Sequence, residues 1–132
     1  MFKKLVMAAP ILAMMAGTAF AQDDYPSRSI RFIIGFGAGG NADTVARIIG
    51  EDMSKTLGQP VVVESKPGAG GNVASDFVSK AEPDGYTIQL MVGGHAVSAA
   101  LYNEQPFDPI EDFTFVSTIG QFPFFVAARA GA

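Results

Sequence analysis

The chain carries three successive blocks between residues 30 and 102, each made of an apolar run, a glycine-rich stretch and a helix-spaced segment. An uninterrupted apolar run is typical of a strand buried in a parallel sheet, whereas apolar residues three and four apart favour a helix. We therefore predict strands at 30–36, 61–63 and 86–92, and helices from 41 or 43 to 57, from about 73 to 81 and from about 96 to 102.

The first predicted helix has the clearest boundaries. Asn41 or Asp43 is expected to cap its N-terminus, because either side chain can accept a hydrogen bond from a free N–H group. Gly58 is the expected C-terminal stop, and Pro60 prevents continuation. The residues expected on its apolar face are Val45, Ile48, Ile49, Met53 and Leu57.

The pattern is a repeat of one structural unit. The pentapeptide Gly-Ala-Gly-Gly-Asn occupies residues 37–41 and again 68–72, and a third glycine stretch lies at 93–95. A period of about 30 residues is the size of one strand–loop–helix unit. Right-handed crossovers would make the strands parallel and place all three glycine loops at the carboxyl edge of one sheet.

The C-terminal part departs from this pattern. Residues 103–112 are polar, contain Pro106 and Pro109, and are predicted to form a loop. Two further strand-like runs follow at 113–119 and 122–128. We expect these β-prone aromatic runs to belong to a core that other parts of a larger protein cover, because an uncovered run of this kind favours aggregation.

Residues 1–21 have the features of a secretory signal peptide. Lys3 and Lys4 precede an apolar stretch, and Ala19-Phe20-Ala21 is a small-residue cleavage pattern, so we predict cleavage before Gln22. The alternative is a membrane anchor, but the stretch is short for a span and contains Pro10 and Gly17. Export without any cysteine fits a bacterial periplasm.

The charge balance limits the classes of partner. Removal of residues 1–21 takes away two lysines, so 7 basic residues face 13 acidic ones and the net charge falls from −4 to −6. An acidic chain without a basic cluster argues against binding to nucleic acid or to anionic lipid. An anion site would have to be built locally, from backbone dipoles.

The first glycine loop admits two interpretations. Gly35, Gly37 and Gly40 spell G-x-G-x-x-G between a strand and a helix, and Glu64 lies near the position of a ribose-binding acid, which would suit an exported dinucleotide-binding module. Export and the presence of three glycine loops argue against that module. Glycine also lets backbone N–H groups approach a carboxylate closely, and a helix N-terminus carries about half a positive charge. We favour a site for a small acid.

Several segments of the chain resemble a known family. They include Tyr25-Pro26, the G-G-x-x-D of 39–43, Leu-Gly-Gln-Pro-Val-Val-Val at 57–63, Pro-Gly-Ala-Gly-Gly-Asn at 67–72, Pro-Asp-Gly-Tyr-Thr at 83–87 and Phe-Asp-Pro at 107–109. In these segments the chain is similar to the Bug receptors, the solute-binding proteins of tripartite tricarboxylate transporters. The likeness extends over residues 25–128.

The resemblance implies an α/β fold, a lobe like those of type II periplasmic binding proteins, and a two-lobed receptor that closes on its ligand. It implies no enzymatic activity and no cofactor. The expected ligands are tricarboxylates, dicarboxylates, acidic amino acids or aromatic acids, and the expected partners are membrane transporter subunits for a receptor that is monomeric when full length. The ligand-binding residues that it implies are Phe36, Gly37, Ala38, Gly39, Gly40, Asn41, Asp43, Gly70, Gly71, Asn72, Gly93, Gly94 and His95.

Two departures from the family pattern change the expectation. Gly37-Ala38 stands where the family usually has prolines, so the first loop should be less preorganised. Residues 22–132 supply only part of an N-terminal lobe. We therefore expect a fragment or a truncated product, with a remnant that has no function as a further alternative.

Three single side chains are candidates for a chemical role. His95, the only histidine, is either a ligand contact or a solvent-facing loop residue, and Asp43 either starts a helix or contacts an amine of the ligand. No second His or Cys accompanies His95, which argues against a metal site. Ser98 lies three residues from His95 without the sequence setting of a hydrolase nucleophile.

Overall fold

Three parallel strands form the centre of the structure. A computed structural model describes residues 25–102, 104–121 and 126–131. Its strands are β1 (Ile30–Ile34), β2 (Val61–Ser65) and β3 (Thr87–Leu90), and they lie in the order β2-β1-β3. Phe32 of β1 is in register with Val63 on one side and with Ile88 on the other. The parallel α/β architecture expected from the sequence is confirmed.

Helices cover both faces of the sheet. Helix α1 (Asn41–Leu57) lies on one face and α2 (Asn72–Ser79) on the other, while α3 (Gly94–Leu101) packs on α2 and on the short 3-10 turn at Ala69–Gly71 that precedes α2. On one face, Ala46 of α1 packs on Phe32 and Ile34 to form the buried core. On the other face, α2 packs against β3 and β1, so that Ser75 meets Gln89. The order is that of successive strand–loop–helix units, as predicted.

The apolar face of α1 differs in part from the expected one. Val45 and Ile48 are 38% and 65% exposed, whereas Ala46 and Gly50 are buried. A Cβ atom on Gly50 would lie 3.3 Å from Cγ1 of Val61, so the helix approaches the sheet through its smallest residues. This close approach turns the two larger residues away from the sheet. Ile49, which also packs against the core, follows the expectation.

The C-terminus of α1 ends as the sequence predicts, whereas its N-terminus does not. Gly58 adopts the left-handed conformation with φ 70° and donates its N–H to the Ser54 carbonyl, as its C-terminal position predicts. At the N-terminus Gly40 is the cap, and no side chain caps a helical N–H, so the expectation for Asn41 or Asp43 is wrong. The Asp43 carboxylate instead bonds to Gly39, which precedes the helix.

The strand expected at 113–119 is not formed. These residues have no assigned secondary structure and no strand partner, and Val116 is 90% exposed. Apolar spacing sets the faces of a strand but supplies no neighbour for its N–H and C=O groups. The second expected strand, at 122–128, falls partly outside the described residues, as do the predicted signal peptide and its cleavage site. Within the described part of the chain, no helix has the length and apolarity to cross a membrane.

Candidate functional site

The three glycine loops meet at the carboxyl edge of the sheet. The first loop, 35–40, follows β1, the second, 66–71, follows β2, and the third, 91–93, follows β3. A Cβ atom on Gly35 would lie 2.7 Å from the Cα atom of Gly71, and one on Gly94 would lie 2.7 Å from the Gly70 carbonyl oxygen. The predicted convergence of the loops is confirmed, and the contact is between backbones.

The strand order places a crevice beside these loops. The chain leaves β1 towards β2 on one side and, after α2, returns to pair β3 on the other side of β1. In open α/β sheets, ligands bind outside the carboxyl ends of the strands where the connections diverge in this way. The first and third glycine loops follow the two strands that border this point.

The second loop has a backbone that depends on glycine. Gly68, Ala69, Gly70 and Gly71 all have positive φ values, and the Gly71 N–H donates to the Gly68 carbonyl over 2.9 Å. This left-handed run leads directly into α2. At its end, the side-chain oxygen of Asn72 is buried and has no hydrogen-bond partner within the described residues.

Asp43 holds the first loop. Its buried carboxylate accepts a hydrogen bond from the Gly39 N–H over 2.9 Å and from the Arg47 Nε over 3.0 Å, while Arg47 Nη2 lies 2.9 Å from the other oxygen. The Arg47 guanidinium, helped by the Gly39 N–H, holds the pKa of Asp43 below its usual value. In the same loop Phe36 is exposed, and a Cβ atom on Gly37 or Gly39 would meet no other atom within 4 Å, so this side of the loop is open to a ligand.

His95 belongs to the first turn of α3, at the same edge. Its Nδ1 lies 3.1 Å from the Ser75 hydroxyl and its Nε2 lies 2.9 Å from the Pro109 carbonyl oxygen. Its ring stacks on Phe107 and meets Phe113 edge to face. The half-buried ring is thus engaged by the protein at both nitrogens and is not a solvent-facing loop residue.

Ser75 and Gln89 are the partners that the sequence did not reveal. Ser75 is almost fully buried, and its hydroxyl accepts a hydrogen bond from Gln89 Nε2 over 3.1 Å. Both residues, with His95 and the glycines of the first two loops, line a cavity of about 10 Å³, close to the lower limit for one water molecule. Ser75 and His95 are 20 positions apart, and the sequence between them gives no direct signal for this contact. The only indirect signal is that side chains alternate between the two faces of β3, which puts Gln89 on the face that α2 covers.

The Ser–His pair does not have the properties of a nucleophile and its base. The Ser75 hydroxyl is inaccessible to a substrate, and the second nitrogen of His95 faces a peptide carbonyl where a hydrolase would place an orienting carboxylate. Ser98 is buried as well. Among the described residues, no group of three or more His, Cys, Asp or Glu side chains is arranged to hold a metal ion.

Glu64 forms an ion pair with Arg31 on the α2 face of the sheet. Its two carboxylate oxygens each lie 2.7 Å from a nitrogen of Arg31, and this guanidinium holds the pKa of Glu64 below its usual value. A ribose-binding acid needs a free carboxylate to accept from the sugar hydroxyls. The pairing with Arg31 therefore weakens the dinucleotide interpretation.

Solved structures share this fold. The periplasmic binding protein BugD is 44% identical, with a TM-score of 0.65 over 67% of this chain and 30% of BugD. MatC from Rhodopseudomonas palustris, solved with bound malate, is 42% identical, with a TM-score of 0.64 over 68% of this chain and 31% of MatC. The fold and its glycine-loop edge define the class as that of the periplasmic binding proteins.

The sequence comparisons identify the family. Residues 45–132 match the model of the tripartite tricarboxylate transporter family receptor. A relative from Agrobacterium vitis, the UPF0065 protein in the TAR-I ttuE-ttuC' intergenic region, is 44% identical over 128 residues, which are 97% of this chain. The chain belongs to the tripartite tricarboxylate transporter receptor family, a family of solute-binding receptors and not of enzymes. It spans 36% of the length of the Agrobacterium relative.

Proposed function

We propose that this chain forms the glycine-loop lobe of an exported receptor for a small carboxylate. The observation that carries the proposal is the meeting of three glycine loops at the carboxyl edge of the sheet, where Gly35 touches Gly71 and Gly94 touches Gly70. The bound malate of MatC, a protein of the same fold, supports a carboxylate as the ligand. The ligand would lie on the loops at 36–41, 70–72 and 93–94.

Backbone donors would supply most of the recognition. The sequence has a net charge of −4, and Arg47, in the helix that follows the first loop, is already paired with Asp43. N–H groups of glycine loops and helix N-termini remain as donors, and each charge-assisted hydrogen bond contributes about 1.5–3 kcal/mol. The buried side-chain oxygen of Asn72, which has no partner among the described residues, would accept from a hydroxyl or ammonium group of the ligand and so select among acids.

The proposed receptor is exported, has a second lobe and works with membrane subunits. The segment at 1–21 would direct export to the periplasm and be removed before Gln22. Residues 22–132 would form part of an N-terminal lobe, and a second lobe would close over the ligand. The loaded receptor would deliver the acid to membrane subunits of a tripartite tricarboxylate-type transporter.

Calorimetric titration tests the proposal. Malate, citrate, adipate, aspartate, benzoate and NAD would each be titrated into the 132-residue chain and into the same chain extended by any coding sequence that follows in frame. The expected result is heat of binding with at least one carboxylate and none with NAD. Silence towards every acid, or binding of NAD alone, would refute a carboxylate site.

A glycine pair provides the matched control. A Cβ atom at Gly37 or at Gly120 would meet no other atom within 4 Å, so alanine at either position should leave the fold intact. Gly37→Ala places a methyl group in the proposed site and should weaken binding about tenfold, the effect of one lost hydrogen bond. Gly120→Ala, far along the chain, should bind as the wild type does. Equal affinities for both variants would remove the first loop from the contact surface.

A further inference from the structure

Residues 107–113 close on themselves to form a compact turn, which we call the 107–113 turn. Asp108 Oδ1 accepts hydrogen bonds from the N–H groups of Ile110 and Glu111 over 2.8 and 2.9 Å. Asp112 Oδ2 in turn accepts from the Asp108 N–H over 2.7 Å. This reciprocal pairing resembles a capping box and gives the turn a shape of its own. These contacts leave the Pro109 carbonyl free to bond to another part of the chain.

The turn is anchored on His95 by aromatic contacts. The His95 and Phe107 rings stack with centroids 5.8 Å apart, and the Phe113 ring meets His95 edge to face at 5.1 Å. Phe107 and Phe113 also meet edge to face at 5.8 Å, so the three rings contact one another pairwise. Phe107 is only 6% exposed, which makes this cluster a small core separate from that under α1.

For the neutral ring, the hydrogen bonds of His95 define one tautomer. A carbonyl oxygen can only accept, so the contact with Pro109 requires a hydrogen on Nε2. In the neutral ring Nδ1 is then an acceptor and takes the hydrogen of the Ser75 hydroxyl. Ser75 Oγ keeps a lone pair for Gln89 Nε2, so donors and acceptors are matched from the Pro109 carbonyl to this nitrogen, while the buried Gln89 Oε1 has no partner among the described residues. A reversed tautomer would set the Pro109 carbonyl against a ring lone pair.

This series ends at the glycine loops. Ser75 lies in the first turn of α2, directly after the left-handed run that ends at Gly71. His95 lies in the first turn of α3, next to Gly94, which touches the Gly70 carbonyl. The side chain of His95 therefore links the two helices that begin at the second and third loops.

We infer that His95 is a positioning residue: as the Nε2–H tautomer it clamps the 107–113 turn onto α2 and α3 and fixes the second and third glycine loops against each other. The role of those loops in ligand binding rests on the proposed function, but the clamp itself does not. His95 thus serves the site without touching the ligand. Its effect should extend from the turn to Gly71, whose N–H bonds within the second loop.

The first test reads the tautomer directly. Because His95 is the only histidine, the imidazole ¹⁵N spectrum of the uniformly labelled 132-residue chain contains one side chain. A single Nε2–H form is expected, with an Nε2 proton that exchanges at least about tenfold more slowly than in free histidine, since the hydrogen bond protects it. An Nδ1–H form, or an Nε2 proton that exchanges as in free histidine, would overturn the inference.

The second test follows the Gly71 amide by hydrogen exchange in three variants. In His95→Ala the exchange of this amide should accelerate about tenfold, since two hydrogen bonds to the clamp are lost. His95→Gln, whose side-chain amide can still donate to Pro109, should recover at least half of the lost protection on a logarithmic scale. The control Leu101→Ala alters an exposed residue at the far end of α3 and should leave Gly71 within about twofold of the wild type.

Two outcomes distinguish the positioning role from local packing. Acceleration at the Phe113 amide without any change at Gly71 would show that His95 stabilises only the turn, and would refute the inference. If His95→Ala does not fold, the comparison of His95→Gln with Leu101→Ala decides in the same way. Neither test uses a ligand. A chain with the expected clamp that binds no carboxylate would therefore refute the proposed function alone.

Discussion

Replacement of Gly35 by alanine tests whether the site depends on direct backbone contact between the first two loops. An alanine Cβ atom would lie 2.7 Å from the Cα atom of Gly71, about 0.8 Å short of a normal carbon–carbon contact of about 3.5 Å. The obstructing atom belongs to the backbone, so rotation of a side chain cannot relieve the overlap. Either β1 or the second loop must shift.

The expected cost follows from this geometry. Added methyl groups in well-packed regions destabilise proteins by about 1–3 kcal/mol. For a folded region of this size, that range corresponds to a fall in melting temperature of at least about 4 °C. Gly37→Ala, two residues away in open space, is the matched control and should change stability by less than about 1 kcal/mol. Urea unfolding followed by circular dichroism measures both variants, and equal midpoints would contradict the close approach of the two loops.

Two further substitutions test charge at the same edge. Asn72→Asp introduces a carboxylate beside the proposed ligand and should weaken acid binding, measured by calorimetry, about tenfold or more. The control Gln59→Glu adds the same charge at the opposite edge of the sheet and should leave the affinity unchanged. Equal losses of affinity would show that net charge alone is responsible. The pKa of Asp43 is lowered by folding, so its contribution to stability is full above the pKa of the unfolded chain and disappears as the pH falls through the folded value. Asp43→Asn should therefore flatten the acid limb of a stability–pH curve, and a limb identical to the wild type would refute the role of the Gly39 and Arg47 contacts.

The sequence predicted the features that depend on local chemistry and on chain direction. Apolar runs, the stop at Gly58 and the right-handed crossover together led to parallel strands with the glycine loops at one edge. The strand order itself was not predicted. Neither was the inward face of α1, because helical spacing does not show that Ala46 and Gly50 allow a closer approach than Val45 and Ile48.

The side-chain contacts of the site were harder to predict because they join distant segments. His95 was singled out as the only histidine, but its partners lie on α2 and in the 107–113 turn. The expected strand at 113–119 failed for a related reason, since a strand is defined by its neighbour as much as by its own residues. Patterns along one segment carry no information about which other segment it meets.

The central position of β1 has a consequence for the order in which the chain folds. Pairing of Ile30 with Val61 joins residues 31 apart (61 − 30), whereas pairing of Arg31 with Thr87 joins residues 56 apart (87 − 31). The longer closure costs about 0.5 kcal/mol more in chain entropy, and it can take place only after residue 90 has been synthesised. Until then β1 has one unpaired edge, which is a site for contacts with other nascent chains. The third glycine loop is placed only when β3 pairs, so the proposed binding edge forms only after this longer closure.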